Sequence, residues 1–411
     1  MAESNDHLIA TAEAAAQLGI RSETLYAYVS RGLITSHKRP GERGSFFDPS
    51  DLDALAKRGR GPEPRPDVYI ESAITLIENG QYWYRGLDAI GVARDNSFEN
   101  VSQLLWTGSL VQDDAAWTAD PAGLAAAKDA LATLPGRART IERVRLAVAA
   151  SAPHDHLRTD LRPSAVVATA KRMMATTLDA LPNPGAGPVD ESIAARLWSV
   201  FRPTPPTAPE LKFLDFTLGI MADHELAAST SAVRIAASFR ANPHHVVAAG
   251  LSALSGAFHG GASRDVGRFL DEVMDEPAAV VVGTWLGEGR RIPGLGQPLY
   301  PLGDPRSSAL LDRLEDEHGD HPAVVAGHEI VEVTTNRGLP APSVDFALGV
   351  MGRAMDFEPH ASESLMALAR FSGWIAHAIE EYEHRSNLRL RAVYSGPRPN
   401  TAGEGEVLIS R

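Results

Sequence analysis

Apolar residues recur at three- and four-residue spacing through most of the chain, which is the pattern of amphipathic helices. The clearest examples are Ser229 to Arg240 and Leu365 to Tyr382. Strand patterning is weak and is confined to Tyr69–Ile77 and Gln81–Tyr84, on either side of a Glu-Asn-Gly sequence that suits a hairpin turn. The pattern therefore predicts a mainly α protein with one small hairpin.

Stretches rich in proline and glycine divide the chain. The string RGRGPEPRP predicts a linker at 61–66 between a small N-terminal domain, residues 1–60, and a larger body. The segment 181–209 contains one short helix candidate between proline-rich stretches, and we interpret it as a surface excursion. We expect the tail after Tyr394 to be extended or disordered.

The N-terminal domain has the pattern of a winged helix-turn-helix. Residues 11–18 form an alanine-rich helix candidate, and Ser22 can cap a second helix that runs to residue 31. Residues 34–47 could form a wing. Asp48 and Pro49 can open a third helix, because proline is tolerated at the first helical position.

The string EAAAQLGIRSETLYAYVSRGLI resembles the DNA-binding head of MerR-like regulators and phage excisionases, over about residues 8–57. The resemblance implies that the second helix enters a major groove and that cations of the wing contact phosphates. A helical protein-interaction domain with solvated basic residues is the alternative. The candidate DNA-binding residues are Arg21, Thr24, Tyr26, Tyr28, Lys38, Arg39 and Arg43.

Charge and composition narrow the possible functions. The net charge of −13 opposes attraction of the whole surface to nucleic acid, but basic residues outnumber acidic ones between Arg21 and Arg60. The absence of cysteine excludes disulfides, thiolate metal sites and cysteine nucleophiles. We find no secretion signal and no apolar run of 18 residues, so we expect a cytoplasmic protein that does not span a membrane. The spacing of His154-Asp155-His156 could suit a metal, but no third ligand is nearby, so we expect no metal site.

Three parts of the body combine histidine or carboxylate side chains with glycine-rich backbone: ADHELAAST followed by LSGAFHGGAS, PGLGQPLYPLGDPR, and LPAPSVDFALG. Each alone is typical of a loop histidine or a helix cap. Together and in this order they resemble the citrate synthase family, which carries ADHE-x-NAST, G-x-x-HGGAN, G-x-GH-x-x-Y…DPR and NVDF motifs. The resemblance covers about residues 67–397 and includes ENGQYWYRGLDAI and ALARFSGWIAHAIEE.

The resemblance implies a two-lobed, all-helical homodimer that holds no bound cofactor. The larger lobe would contain residues 67–255 and 355–411, and the smaller lobe residues 256–354. The family condenses acetyl-CoA with oxaloacetate, in a cleft between the lobes. A 2-methylcitrate synthase, which takes another short acyl-CoA, is a variant of the same chemistry.

The resemblance also implies roles for individual side chains. Asp345 would be the general base, and His259 would stabilise the enol through a hydrogen bond. Arg389 would reach the site of the partner subunit across the dimer interface. The residues implied to bind the oxaloacetate or citrate carboxylates are His224, Arg306, Arg370 and Arg389.

The match fails at several positions of the site. Gln297 stands where the family has the histidine that polarises the ketone, and an amide donates a hydrogen bond but cannot become cationic. Pro298 and Pro301 occupy positions that are often basic. One histidine and three asparagines of the family are replaced by Met221, Ala227, Ser263 and Ser343. Two functions stay open: an acyltransferase that is slow or altered, and a DNA-binding regulator that senses citrate, oxaloacetate or acyl-CoA.

Overall fold

The computed structural model places the chain in two compact units, Met1–Glu71 and Ser72–Arg411. The predicted linker at 61–66, and almost all of the tail after Tyr394, lie outside the described residues. The division of the body into two lobes stays a prediction. The described residues are 8–18, 20, 22–30, 34–39, 44–52, 70–112, 115–256, 259–260, 262–384, 387–389, 392, 394 and 396.

The described part of the N-terminal unit has helical residues at 49–52, where the third helix is predicted to begin. It also contains two longer helices and a short antiparallel strand pair. Their bounds are Thr11–Leu18 (α1), Ser22–Ser30 (α2), Ile9–Ala10 (β1) and Phe46–Phe47 (β2). Leu25 and Phe47 are fully buried in a hydrophobic core that belongs to this unit alone. The backbones of His37 and Phe46 exchange two hydrogen bonds, at 2.8 and 2.9 Å, within the segment predicted as a wing.

The second unit is mainly helical, as the hydrophobic pattern predicts. Its helices are Ala89–Asp95 (α3), Phe98–Thr107 (α4), Pro121–Leu131 (α5), Thr140–Ser151 (α6), Pro163–Ala180 (α7), Ile193–Phe201 (α8), Ala208–Met221 (α9), Ala228–Ser238 (α10), Pro243–Leu254 (α11), Ala262–Asp275 (α12), Ala278–Gly287 (α13), Pro305–His318 (α14), Pro322–Asn336 (α15), Val344–Ala354 (α16) and Ala361–Glu383 (α17). The helices predicted over 229–240 and 365–382 are thereby confirmed as α10 and α17.

The predicted hairpin is confirmed and is extended by a third strand. Strands Thr75–Glu78 (β3), Gln81–Tyr84 (β4) and Leu87–Asp88 (β5) pair antiparallel in the order β3-β4-β5. Asn79 and Gly80 have φ values of 51° and 76°, which a two-residue type I′ turn requires. The hydroxyls of Tyr82 and Tyr84 donate to the carbonyl of Ile220, at 3.2 and 3.1 Å, and so fix the sheet against the end of α9.

Helix α17 forms the centre of the body. Its side chains are buried on nearly every face, and it packs against α4, α6, α7, α9, α10 and α11. A helix buried on all sides is expected to be apolar throughout. Arg370, His377 and Glu381 break that expectation, and their partners position the site described below.

The interpretation of 181–209 as a surface excursion is wrong for its helix. Helix α8 lies in this segment, and all but one of its residues are buried. Trp198 is 1 % exposed, and its ring meets that of Phe357 edge-on at 5.2 Å. The exposed residues around Gly185 are the part of the prediction that holds.

Candidate active site

A cavity of about 360 Å³ in the second unit brings together six of the predicted site residues: His224, His259, Gln297, Arg306, Asp345 and Arg370. They come from the turn between α9 and α10, the turn at 259–260, the loop that leads into α14, and helices α14, α16 and α17. The remaining lining residues are Met221, Glu225, Leu226, Ala227, Ala228, Leu299, Val344 and Met366.

Short sequence features place several of these side chains at helix ends. Asp304 caps α14 by accepting from the amide of Arg306 at 3.0 Å, so Arg306 lies in the first turn. Asp345 is the second residue of α16. Glu225 has φ 52° and follows His224 in the turn that joins α9 to α10.

Arg306 is held by a bidentate ion pair with Asp304. Its Nε donates to Oδ1 at 3.0 Å and its Nη2 to Oδ2 at 2.7 Å, with both side chains almost completely buried. Burial alone would lower the pKa of Arg306, but Asp304 raises it above its usual value. Asp304 Oδ2 also accepts from the amide of Val344 at 3.1 Å, which ties the start of α14 to the start of α16.

Arg370 is a buried cation with no carboxylate within 4.0 Å among the described residues. Its Nε donates to the carbonyl of Met221 at 3.2 Å. Burial lowers the pKa of Arg370; Asp223 opposes this shift and Arg306 adds to it. Two guanidinium groups in one cavity, one of them without an ion-pair partner among the described residues, are suited to bind an anion with several oxygens.

His224 is a neutral imidazole beside these cations. Burial lowers the pKa of His224 well below its usual value, and Arg306 and Arg370 lower it further. Its Nε2 lies 2.8 Å from the hydroxyl of Tyr300. Burial raises the pKa of Tyr300 to about 12, so the phenol keeps its proton at neutral pH. The two rings add uncharged hydrogen-bonding groups to the cationic end of the cavity.

Hydrogen bonds fix the tautomer of His259. Its Nε2 lies 2.9 Å from Ser229 Oγ and accepts from the amide of Ser229 at 3.4 Å. Trp374 Nε1 donates to the same hydroxyl at 3.3 Å, which leaves the hydroxyl hydrogen for His259. A ring nitrogen that accepts is unprotonated, so Nδ1 carries the proton. Burial and the nearby Arg370 lower the pKa of His259, and the ring is a neutral donor.

Asp345 lies in surroundings that disfavour its charge. Burial raises the pKa of Asp345 to about 6, although Arg306 acts in the opposite direction. Its Oδ1 is buried and has no hydrogen-bond partner within the described part of the chain. A carboxylate with few hydrogen bonds and a pKa near neutrality is suited to accept a proton from a weak carbon acid.

Gln297 lies on the loop that leads into α14. Its Oε1 accepts a long hydrogen bond from the amide of Leu299 at 3.5 Å. The Nε2 group is therefore the donor that it can offer to a ligand. Leu299 lines the cavity, and Leu302 on the same loop is 98 % exposed, so this side of the entrance is apolar.

The family model for the citrate synthase C-terminal domain matches residues 67–391. This chain belongs to the citrate synthase family.

Individual relatives agree with this assignment. The citrate synthase of Haloferax volcanii is 30% identical over 357 residues, which covers 80% of this chain and 93% of that protein. Citrate synthase 2 of Bacillus subtilis is 29% identical over 212 residues. This match covers 51% of this chain and only 57% of the length of that relative. Among solved structures, a ternary complex of Thermoplasma acidophilum citrate synthase with carboxymethyl coenzyme A and oxaloacetate matches with a TM-score of 0.67. At 24% identity over 82% of this chain and 97% of that one, it confirms the predicted mainly helical citrate synthase fold.

Three residues that contact cavity side chains have no role in the sequence interpretation: Ser229, Tyr300 and Asp304. Asp304 could have been found, because aspartate before proline is a helix-start pattern and Arg306 follows at once. Ser229 and Tyr300 meet their histidine partners across 30 and 76 residues. No local pattern indicates such pairs.

Arg389 does not line the cavity. It is exposed in the short described segment after α17. Its role in the site of a partner subunit stays a prediction.

The described residues contain no cluster of three or more histidine, aspartate or glutamate side chains that could hold a metal ion. None of the helices in the described part of the chain is long and apolar enough to cross a membrane.

The candidate DNA-binding residues have different surroundings. Tyr26 and Lys38 are exposed, and Thr24 is half-buried. Tyr28 packs against the core of the N-terminal unit, three residues after the buried Leu25. Arg39 is half-buried, and its contacts are given below. Two further candidates, Arg21 and Arg43, lie outside the described residues.

Arg39 stabilises the N-terminal unit itself. Its Nη2 donates to the carbonyl of Leu8 at 2.7 Å, and its guanidinium lies 4.7 Å from the ring centre of Phe46. These contacts hold the segment before β1 against the segment predicted as a wing. Among the described wing cations, Lys38 is therefore the more exposed one.

Proposed function

We propose that the body condenses the acyl group of acetyl-CoA, or of another short acyl-CoA, with oxaloacetate. The observation that carries the proposal is one cavity with four suitable features. It has two buried guanidinium groups, a carboxyl group whose pKa is raised to about 6, and a neutral imidazole with its proton on Nδ1. Proton abstraction next to a carbonyl requires a base and an oxyanion donor, and the two guanidinium groups add a site for the carboxylates of the acceptor.

The reaction begins at the acyl carbon next to the thioester carbonyl. Asp345 takes a proton from that carbon while His259 Nδ1–H donates a hydrogen bond to the carbonyl oxygen, which becomes the enol oxygen. The carbon then attacks the ketone of oxaloacetate and forms the new carbon–carbon bond. The alkoxide that forms on the ketone takes a proton from water, and the protonated Asp345 returns its proton to the hydroxide that is left. A second water then cleaves the thioester, which gives citrate, CoA and a proton when the acyl group is acetyl.

The oxaloacetate carboxylates are proposed to lie against the two guanidinium groups. Arg370 can form an ion pair there, and Arg306 offers Nη1, which takes no part in its pair with Asp304. Gln297 would donate to the ketone oxygen without delivering a proton. Loss of an electrophilic donor of this kind costs roughly 10² to 10³ in rate, so we expect slow turnover.

A dimeric, two-lobed body is part of the proposal. The cavity supports the two lobes, because His224 comes from the larger proposed lobe, 67–255 with 355–411, and Asp345 from the smaller one, 256–354. Arg389 would complete the site of the partner subunit.

A second candidate function is a DNA-binding regulator that senses citrate, oxaloacetate or acyl-CoA in the same cavity. Gln297 in the place of the ketone-polarising histidine favours it. So does an N-terminal unit with its own core, in which α1 and α2 are separated by three residues. In this function residues 8–57 form a winged helix-turn-helix that presents Tyr26 and Lys38 to DNA, and a homodimer provides two such heads.

The deciding test is CoA release by the purified chain with oxaloacetate and either acetyl-CoA or propionyl-CoA. The thiol can be detected without background, because the protein has no cysteine. We expect release that requires both substrates and disappears in Asp345→Asn. The matched control is Asp129→Asn, which removes an exposed carboxylate on α5.

Other outcomes separate the two functions. Absence of release together with citrate binding, measured by calorimetry and lost in Arg306→Ala, would favour the regulator. Salt-dependent binding to DNA that changes with citrate would then support it directly. A chain that neither releases CoA nor binds citrate or oxaloacetate would contradict both proposals.

A further inference from the structure

A buried polar stripe runs along the otherwise apolar helix α17. Arg370, Gly373, His377 and Glu381 follow one another at three- and four-residue spacing and therefore share a face. The three side chains are at most 3 % exposed. Burying such groups is costly unless each has a partner. Only Arg370 lines the cavity, so the partners of the others need a separate explanation.

Arg234 on α10 fixes the far end of the stripe. Its side chain is fully buried and donates to Glu381 Oε1 from Nε and Nη2, at 3.1 and 2.8 Å. Its Nη1 donates to Glu380 Oε2 at 2.6 Å and to His377 Nδ1 at 2.9 Å. A guanidinium has donors only, so His377 Nδ1 is an acceptor and the ring proton is on Nε2.

The protonated nitrogen of His377 faces Asp223. Nε2 donates to Asp223 Oδ2 at 3.4 Å, and the same oxygen accepts from the Thr75 hydroxyl at 2.5 Å. Asp223 is completely buried and packs against Gly373. A Cβ at Gly373 would lie 2.2 Å from Asp223 Oδ1. Only glycine leaves room for the Asp223 carboxylate against this face of α17.

Asp223 influences the cavity without lining it. Its Oδ2 accepts from the amide of Glu225 at 3.2 Å, which closes a turn around His224. Glu225 has φ 52°, a backbone conformation that residues other than glycine rarely adopt, and the hydrogen bond to Asp223 helps to hold it. Asp223 also supplies the main negative charge that acts on Arg370. One carboxylate therefore fixes the backbone of one cavity residue and compensates the charge of another.

We propose that His377, held in one tautomer by Arg234, is a positioning residue that acts through Asp223 on the carboxylate-binding end of the cavity. The inference rests on the proposed carboxylate site but does not depend on turnover. A purely structural core histidine would affect ligand binding only through packing. In the proposed role, ligand binding depends on the hydrogen bond that His377 Nε2 donates to Asp223.

Two neutral substitutions of similar size separate the two hydrogen bonds. In His377→Gln the amide nitrogen can lie near the position of Nε2 and keep the bond to Asp223. In His377→Asn the amide oxygen can lie near the position of Nδ1 and keep the bond to Arg234, while the donor to Asp223 is lost. Both variants remove the ring, so a difference between them reports on Asp223 rather than on packing.

The measurement is the citrate and oxaloacetate affinity of the full chain by calorimetry, together with its unfolding midpoint. A hydrogen bond to a charged acceptor corresponds to roughly 10- to 100-fold in an equilibrium constant. We expect His377→Asn to bind more weakly by that factor and His377→Gln to keep most of the wild-type affinity. Equal affinities in two variants that are equally destabilised would overturn the inference and leave His377 a purely structural residue.

A second readout needs no ligand. In the 15N spectrum of histidine-labelled protein, the chemical shifts of the two ring nitrogens should show His377 as the Nε2–H tautomer. The ring signals of His224 should shift in His377→Asn but not in His377→Gln. The opposite tautomer, or His224 signals that are the same in both variants, would contradict the inference. Failure of the wild type to bind citrate or oxaloacetate would instead contradict the proposed function, and this readout would still decide the inference.

Discussion

The raised pKa of Asp345 predicts that the proposed base destabilises the folded protein when it is charged. Its pKa is raised from 3.8 to about 6. Below pH 3.8 the carboxyl group is protonated in both the folded and the unfolded state, so it has no effect on the free energy of unfolding. As the pH rises from 3.8 to 6 the unfolded state loses its proton first, and stability falls. Above pH 6 the full loss is present.

The size of the loss follows from the shift of about two pKa units, since each unit corresponds to about 1.4 kcal/mol. The charged form is thus disfavoured by up to roughly 3 kcal/mol, an upper value because Asp345 is partly exposed to the cavity. Asparagine has the same shape and no charge. The unfolding free energy of Asp345→Asn relative to wild type should therefore increase by up to roughly 3 kcal/mol between pH 4 and pH 8.

Urea unfolding at fixed protein concentration, without ligand, measures this difference. The titration of all other groups is common to both proteins and cancels. Asp129→Asn controls for the loss of one exposed carboxylate that does not line the cavity. A difference between Asp345→Asn and wild type that stays constant, or decreases, from pH 4 to pH 8 would refute the argument that burial in the cavity raises the pKa of the base.

Three further predictions concern the ligand, the rate and the N-terminal unit. Gln297→His should raise CoA release by roughly 10² to 10³, because a histidine can deliver a proton to the ketone oxygen; an unchanged rate would argue that the cavity serves another purpose. Arg306→Ala should abolish citrate binding in calorimetry and lower stability by roughly 3 to 5 kcal/mol, because it leaves Asp304 buried and unpaired. Lys38→Ala should weaken DNA binding at all sequences and reduce the salt slope by about one, whereas Arg39→Ala should lower the stability of the N-terminal unit.

The sequence predicts the main helices because their apolar spacing is a local property. It predicts the hairpin because Asn79 and Gly80 are the residues that a type I′ turn requires. The burial of α8 was missed because proline-rich flanks are typical of surface segments. Its environment depends on Phe357, more than 150 residues away, which the local pattern cannot show.

The same distinction applies to the candidate site. The resemblance of several short motifs, in their order along the chain, to those of the citrate synthase family predicts the six cavity residues; no single motif would do so alone. The protonation states were not predictable. The Nδ1–H tautomer of His259 depends on Ser229 and Trp374, and the pKa of Asp345 depends on how deeply α16 is buried.

The two buried arginines are unequal evidence for an anionic ligand. Arg306 has a structural role in its pair with Asp304, and that pair would be needed even if the cavity bound nothing. Arg370 has no such explanation, because no described carboxylate lies within 4.0 Å of it and Asp223 acts on it only from a greater distance. A buried cation without a direct ion-pair partner costs several kcal/mol, and a more distant carboxylate offsets only part of this cost. A carboxylate ligand would remove that cost, so Arg370 is the residue that most directly supports the proposed binding of an oxo acid.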